Sequence, residues 1–216
     1  MEDNKILFVD IDYSLVKENT TFEFIKLTIQ RNVIKFFLYK TITKFPINIF
    51  FKFLYKLNFF DSKYLVLYLL KNKKKETLEL LAKEYIDLLL KNKKINKNVL
   101  DLIIKYQNKK YKIVLLSKTL DILSYCINKK LEFDGFISSQ MSYKDNFFSG
   151  KYLKEINKLE IVKKYKNKNN TLYLITDSKE DFESSCIVDF TYIVMNKKNK
   201  KFWSKKIKLI NKYEFI

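Results

Sequence analysis

The 216-residue chain has no histidine and two cysteines, Cys126 and Cys186, which excludes Ser-His-Asp and Cys-His catalysis, imidazole-based zinc sites and disulfide frameworks. A 47% hydrophobic content excludes global disorder, and the length suits one domain or one domain carrying a smaller inserted one. Lys+Arg 43 against Asp+Glu 24 gives +19, yet Arg31 is the only arginine, so the excess reads as codon drift and a preference for small anions, with a nucleic-acid partner the minor reading.

The N-terminal segment MEDNKILFVD holds a four-residue apolar run ending at Asp10, too short for a secretory signal, so a cytoplasmic location with reduced thiols is expected. That run, Ile6–Val9, reads as a buried strand. From about Thr20 to Leu90 no clear strand is visible. Helical stripes appear instead, the cleanest at Leu78, Leu81, Ala82, Tyr85, Leu88 and Leu89, and Pro46 suits a first helical turn. Lysines at 35, 40, 44, 52, 56 and 63 interrupt the greasy stretch Val33–Leu70, which therefore does not read as membrane-spanning.

A second strand is expected at Tyr111–Leu116, ending in Ser117, followed by a helix with Leu120, Leu123, Ile127 and Leu131 on one face. A weaker strand lies around Gly135–Ser138. Ile156, Leu159 and Val162 then mark a helix, and Thr171–Ile175 and Phe190–Val194 are the last strands. Lysine/asparagine runs at 71–75, 91–98, 163–170 and 197–201 read as solvated loops. Strand alternating with helix implies an α/β fold, a Rossmann-like doubly wound parallel sheet with an all-helical insertion after its first strand.

In such sheets ligands bind at the carboxyl ends of the strands. The first strand delivers Asp10, Asp12 and Ser14 there, the second Ser117, and the strand at 171–175 delivers Asp177 with Asp181 four residues on. Each alone could be a helix cap or turn former. Together they form an oxygen-only carboxylate cluster that repels itself unless a cation sits within it, which suits Mg²⁺.

These residues resemble the motifs of the haloacid dehalogenase superfamily, in its phosphoserine-phosphatase-like branch: D-I-D-Y-S at Asp10–Ser14, L-L-S ending at Ser117, and D-S-K-E-D at Asp177–Asp181. Ser149-Gly150-Lys151 resembles the branch's TG[RK] hairpin, and Asn157-Lys158 opens a helix as its GK does. The resemblance implies a core at 1–17 and 95–216, and a helical cap at 18–94 that selects substrate. It also implies Asp10 as nucleophile and Asp12 as acid and base. Ser117, Lys158 and Ser14 would bind phosphate, and Asp10, Asp12 (through its carbonyl) and Asp177 would hold Mg²⁺, with Asp181 placing the metal's waters. Lys151, Lys154 and Lys163 compete with Lys158 for the phosphate. Tyr13 stands at a position whose side chain points away from the chemistry in the family, and Thr176 replaces a glycine whose loss would narrow the turn. Asn19 replaces the glutamate that grips an ammonium group, with the adjacent Glu18 facing elsewhere.

The implied activity is Mg²⁺-dependent hydrolysis of a small soluble phosphate ester, an amino-alcohol, amino-acid or sugar phosphate, with surface-polysaccharide (capsule) biosynthesis a plausible setting. The aromatic-rich stretch from Phe36 to Phe60 reads as the core of a small bundle. It leaves peripheral membrane contact open, and with it a membrane-associated phosphatase of a lipid-linked phosphate. The rival from another class is an idle binding module, including one for nucleic acid. The oligomeric state is not readable.

Overall fold

In β1 (Lys5–Val9) alternate side chains face opposite ways, and both sets are apolar because both sides of the sheet are covered. Leu7 and Val9 join a core with the helices on one face, whereas Ile6 and Phe8 pack with Leu116, Val162, Leu172 and Leu174 on the other. The computed structural model describes residues 5–43, 62–167 and 170–216.

Between β1 and β2 (Lys112–Leu120) the described helices are α1 (Thr20–Ile29), α2 (Val33–Thr43), α3 (Ser62–Tyr68), α4 (Lys75–Lys91) and α5 (Lys97–Asn108). Then follow α6 (Asp121–Leu131), β3 (Gly135–Lys144), β4 (Phe147–Lys154), α7 (Lys158–Lys166), β5 (Thr171–Thr176), α8 (Phe182–Ile187), β6 (Phe190–Ile193), α9 (Lys200–Lys206) and β7 (Tyr213–Phe215). Among the described residues these strands form one sheet ordered β4-β3-β2-β1-β5-β6-β7, parallel except at the β3–β4 hairpin. The fold is the doubly wound α/β arrangement expected, with helices alone among the described residues between β1 and β2.

The strand expected to end at Ser117 runs on to Leu120 through a register shift against β3, and its helix starts at Asp121. A β-bulge of this kind re-aims side chains at a sheet's rim. Two strands and three helices were not read from the residue pattern: β4, where only a resemblance to a hairpin stood, β7, α8, α9 and α5, whose Val99, Ile103 and Tyr106 are buried. The lysine runs read as loops are partly ordered, since Lys75, Lys97, Lys163 and Lys200 all lie in helices.

The chain leaves the sheet layer after Val16 and returns at Ile95, and these two residues pair in an antiparallel bridge. Lys17 N–H donates to Lys94 O (2.9 Å), and Asn96 N–H to Leu15 O (2.8 Å). Further along, Asn72 N–H donates to Phe148 O and Phe148 N–H to Lys73 O, tying the turn before α4 to the hairpin. Of the aromatic stretch, Tyr39 is buried and its hydroxyl donates to Phe22 O, while Phe37 is exposed. Pro46 and the aromatic residues from Phe45 to Phe60 lie outside the described residues. Among the described residues no helix is long and apolar enough to cross a membrane.

Candidate active site

β1 sits between β2 and β5, so their carboxyl ends bring Asp10, Ser117 and Asp177 to one edge. A cavity of about 720 Å³ opens there, bordered by Asp10, Asp12, Ser117, Lys158, Asp177 and Asp181. Of the seven residues given a site role from the sequence, all but one therefore border a single hollow. Ser14 is the exception.

Lys158 is the first residue of α7, whose start is set by Asn157: its side chain accepts from Leu159 N–H and Glu160 N–H and donates to Glu160 in return. The Lys158 ammonium is buried and lies 2.8 Å from Asp10 Oδ1 and 2.8 Å from Asp181 Oδ2. The competing Lys151, Lys154 and Lys163 are exposed. Burial alone would lower the lysine's pKa, but the facing carboxylates Asp10 and Asp181 outweigh it and hold the ammonium above its usual range. The carboxylates must share that one cation. Burial consequently dominates at Asp10 and pushes it up to about 7 despite Lys158, with Asp181 adding to the rise.

Asp10 Oδ1 also accepts from Ile11 N–H (2.9 Å), which fixes the carboxylate plane. Asp12 turns its Oδ1 to Thr20, accepting from both the backbone N–H (2.8 Å) and the hydroxyl (2.6 Å). Thr20 in turn meets Thr119 at 2.6 Å, and Thr119 lies 3.1 Å from Thr21. Burial raises the Asp12 pKa, and the Thr20 hydrogen bonds oppose that rise.

Ser14 is fully buried behind the cavity. It accepts from Asp177 N–H (2.9 Å) and donates to Asp177 Oδ1 (3.4 Å), so its geometry suits holding Asp177 rather than touching phosphate, a correction to the expectation above. Tyr13 differs too: it borders the cavity, with φ 58° and the Lys198 ammonium 5.7 Å from its ring. Thr176 replaces glycine with a function, since its hydroxyl donates to Asp181 Oδ2 (2.6 Å) while accepting from Ser178 N–H. Glu18 faces away, bound by Tyr85 and Lys94, and Asn19 caps α1 through Phe22 N–H while bordering the cavity.

Sequence reasoning missed the support of Asp177. Asn196 donates to its Oδ2 (3.1 Å), and Asn199 and Trp203 both donate to its main-chain carbonyl (2.8 and 3.2 Å). The run at 197–201, read as a loop, hid Asn199. The available signal was the only tryptophan, placed four residues after an asparagine just beyond the last long strand. Burial raises Asp177 to about 6, with Asn196 pulling the other way.

Among the described residues no three acidic or cysteine side chains converge closely enough to hold a metal ion. The Asp12 carboxylate is engaged by threonines, and Asp181 by Lys158 and Thr176. Asp10 meets Lys158 and Ile11 N–H through Oδ1 alone, and Asp177 meets only a neutral hydroxyl and amide, so a hard cation would draw on these two carboxylates, with main-chain and water oxygens completing its shell. That all-oxygen set suits Mg²⁺, which keeps several waters. A four-carboxylate cage does not fit.

Residues 7–184 match the haloacid dehalogenase-like hydrolase family. A search of curated proteins found no match to this chain. Among solved structures, a protein of unknown function from Bordetella pertussis Tohama I aligns over 99% of this chain and 98% of its own, at 11% identity and TM-score 0.75. An apo phosphoserine phosphatase aligns over 97% and 92% at 19% identity and TM-score 0.65. A phospho-aspartyl intermediate analogue of phosphoserine phosphatase aligns over 98% and 93% at 20% identity and TM-score 0.62. At these identities the likeness establishes the fold.

Proposed function

The chain belongs to the haloacid dehalogenase-like hydrolase family, and from that premise we propose that it is a phosphomonoesterase working through an aspartyl-phosphate on Asp10. The observation that carries this reading is the buried Lys158, 2.8 Å from both Asp10 and Asp181 in a cavity that Asp12 and Ser117 also border. A cation so placed serves an incoming phosphoryl group and steadies the carboxylate that attacks it.

Asp10 Oδ2, which has no hydrogen bond among the described residues, attacks phosphorus as the P–O bond to the alcohol breaks. Asp12 gives its proton to the departing alkoxide, a role that its raised pKa favours. The resulting Asp12 carboxylate then takes a proton from water, whose oxygen attacks phosphorus. That step frees inorganic phosphate and restores Asp10. Ser117 and Lys158 hold the phosphoryl oxygens, while Asp181 and Ser14 act by positioning Lys158 and Asp177. Held by Asp10, Asp177 and the Asp12 carbonyl, Mg²⁺ would supply the charge neutralisation that lets a carboxylate approach a phosphate.

Residues 18–94 form the cap in this reading, and 1–17 with 95–216 form the core. The Val16–Ile95 bridge at those boundaries supports the division. The substrate is a small soluble phosphate ester. The test is phosphate release from an aryl phosphate, with Mg²⁺ or EDTA, for the wild type and Asp10→Asn. Metal-dependent turnover should fall by about 10³-fold or more in the variant, because the covalent route is lost. Undiminished turnover in Asp10→Asn would refute the assignment.

A further inference from the structure

The sequence of α2, VIKFFLYKTIT, is mostly apolar, and its only charged residues are Lys35 and Lys40. A helix apolar all round belongs in an interior. This one is covered on one side alone, where Tyr39 is buried and Lys35 donates to Leu69 O (2.7 Å). On the opposite side Val33, Ile34, Phe37 and Leu38 are 81%, 74%, 69% and 44% exposed. Spacings of three and four residues make these four side chains one continuous face. Single exposed apolar residues are ordinary, whereas a contiguous patch marks a surface that meets something. None of the four borders the cavity at Asp10.

The charge that accompanies this face is of one sign. From residue 24 to residue 60 the sequence holds seven basic residues and no acidic one, although one residue in nine of the whole chain is acidic. Arg31, the only arginine, is exposed two residues before α2. Lys40 lies in the helix's last turn, also exposed, with its ammonium 4.4 Å from the centre of the Phe36 ring. A second copy of the chain is a poor occupant for such a face. In a two-fold contact the same patch meets itself, and cations would oppose cations.

An anionic bilayer surface complements both features. Its headgroups suit Arg31 and Lys40, and the boundary with its acyl chains suits the four apolar side chains. At 11 residues α2 is far too short to span a bilayer, so it would lie along the surface. We propose that the protein attaches peripherally to anionic membranes through the outer face of α2, with Val33, Ile34, Phe37 and Leu38 entering the interface and Arg31 and Lys40 meeting lipid headgroups. This attachment is independent of the reaction assigned to Asp10.

The test is co-sedimentation of the full chain with vesicles of phosphatidylcholine, alone or with about 30% phosphatidylglycerol. The wild type should partition about 10-fold or more in favour of the anionic vesicles. A chain of net charge +19 adheres to such vesicles through charge alone, so the deciding variants leave the charge untouched. Ile34→Ser with Phe37→Ser, and separately Val33→Ser with Leu38→Ser, should each lower the partition coefficient by about 10-fold or more, because these side chains leave water only on the bilayer. Leu153→Ser removes an apolar side chain from β4 that is 70% exposed, and should bind like the wild type. No binding of the wild type to anionic vesicles, or equal binding to neutral ones, overturns the proposal. So do two serine pairs that bind like the wild type, or a Leu153→Ser that falls as far as they do. A dimer in sedimentation velocity that both serine pairs dissociate also overturns it and gives the face to a second copy.

Discussion

Thr119 touches three polar side chains at once: Thr20 at 2.6 Å, Thr21 at 3.1 Å and Asp12 at 3.4 Å. It is buried and stands on the bulged end of β2, so its hydroxyl links the core's second strand to the start of α1 through the proposed acid. Thr119→Val keeps the shape and removes the hydroxyl. Steady-state kinetics on an aryl phosphate should show kcat falling about 10-fold, roughly 1.4 kcal/mol of transition-state energy, with KM little changed and Thr119→Ser restoring most of the loss. A fall in KM-limited turnover alone would point to a structural role instead. At this scale the sequence disclosed the carboxylates, because Asp10, Asp12 and Asp177 stand directly after strands where few other uses for an acid exist. It concealed their partners. Threonines and asparagines are common in this chain, and nothing in a lone hydroxyl at 119 or 176 announces that it will meet an aspartate far away in sequence or a few residues on.

Gly150 in β4 has φ +90°, and an added Cβ would stand 2.9 Å from Tyr68 Cδ2 and 3.3 Å from Lys71 Cβ. This is where α3 lies against the hairpin, and only glycine permits both the backbone angle and the approach. Gly150→Ala should cost about 1–3 kcal/mol, since strain and overlap act together. Thermal denaturation should register roughly 2–4 °C per kcal/mol for a chain of this length. A Tm within error of the wild type would mean that α3 moves off the hairpin without cost. The central strands were legible because both faces of each are buried, leaving unbroken apolar runs. β7 was not, since all three of its residues are exposed and only its pairing with β6 identifies it. α5 was overlooked because lysines and asparagines dilute a stripe that rests on Val99, Ile103 and Tyr106.

Without histidine, the molecule's response to pH near neutrality falls on Asp10 and Asp177, raised to about 7 and about 6 from an ordinary value of 3.8. Between those limits the metal-free folded chain retains protons that the unfolded chain has released, so stability is greatest below about pH 4 as far as these groups are concerned and declines as pH rises toward 7. Melting temperatures measured in EDTA from pH 4 to 8 should therefore fall with pH, and Asp10→Asn should flatten the slope. A slope of the opposite sign would mean that the unfolded chain, not the folded one, holds the extra protons, against the raised values at Asp10 and Asp177. The overall architecture was visible in the alternation of strand and helix, whereas how the helical segment attaches was not, because a single bridging pair leaves no periodic trace. That attachment has a mechanical meaning. Leu15 N–H donates to Asp10 O, and Leu15 O accepts from Asn96 N–H, so two hydrogen bonds connect the proposed nucleophile's backbone to the point where the chain comes back from the helical segment. The place where the helical segment joins the sheet is thus also a place that holds the main chain of Asp10, and one short stretch of backbone serves both as joint and as anchor.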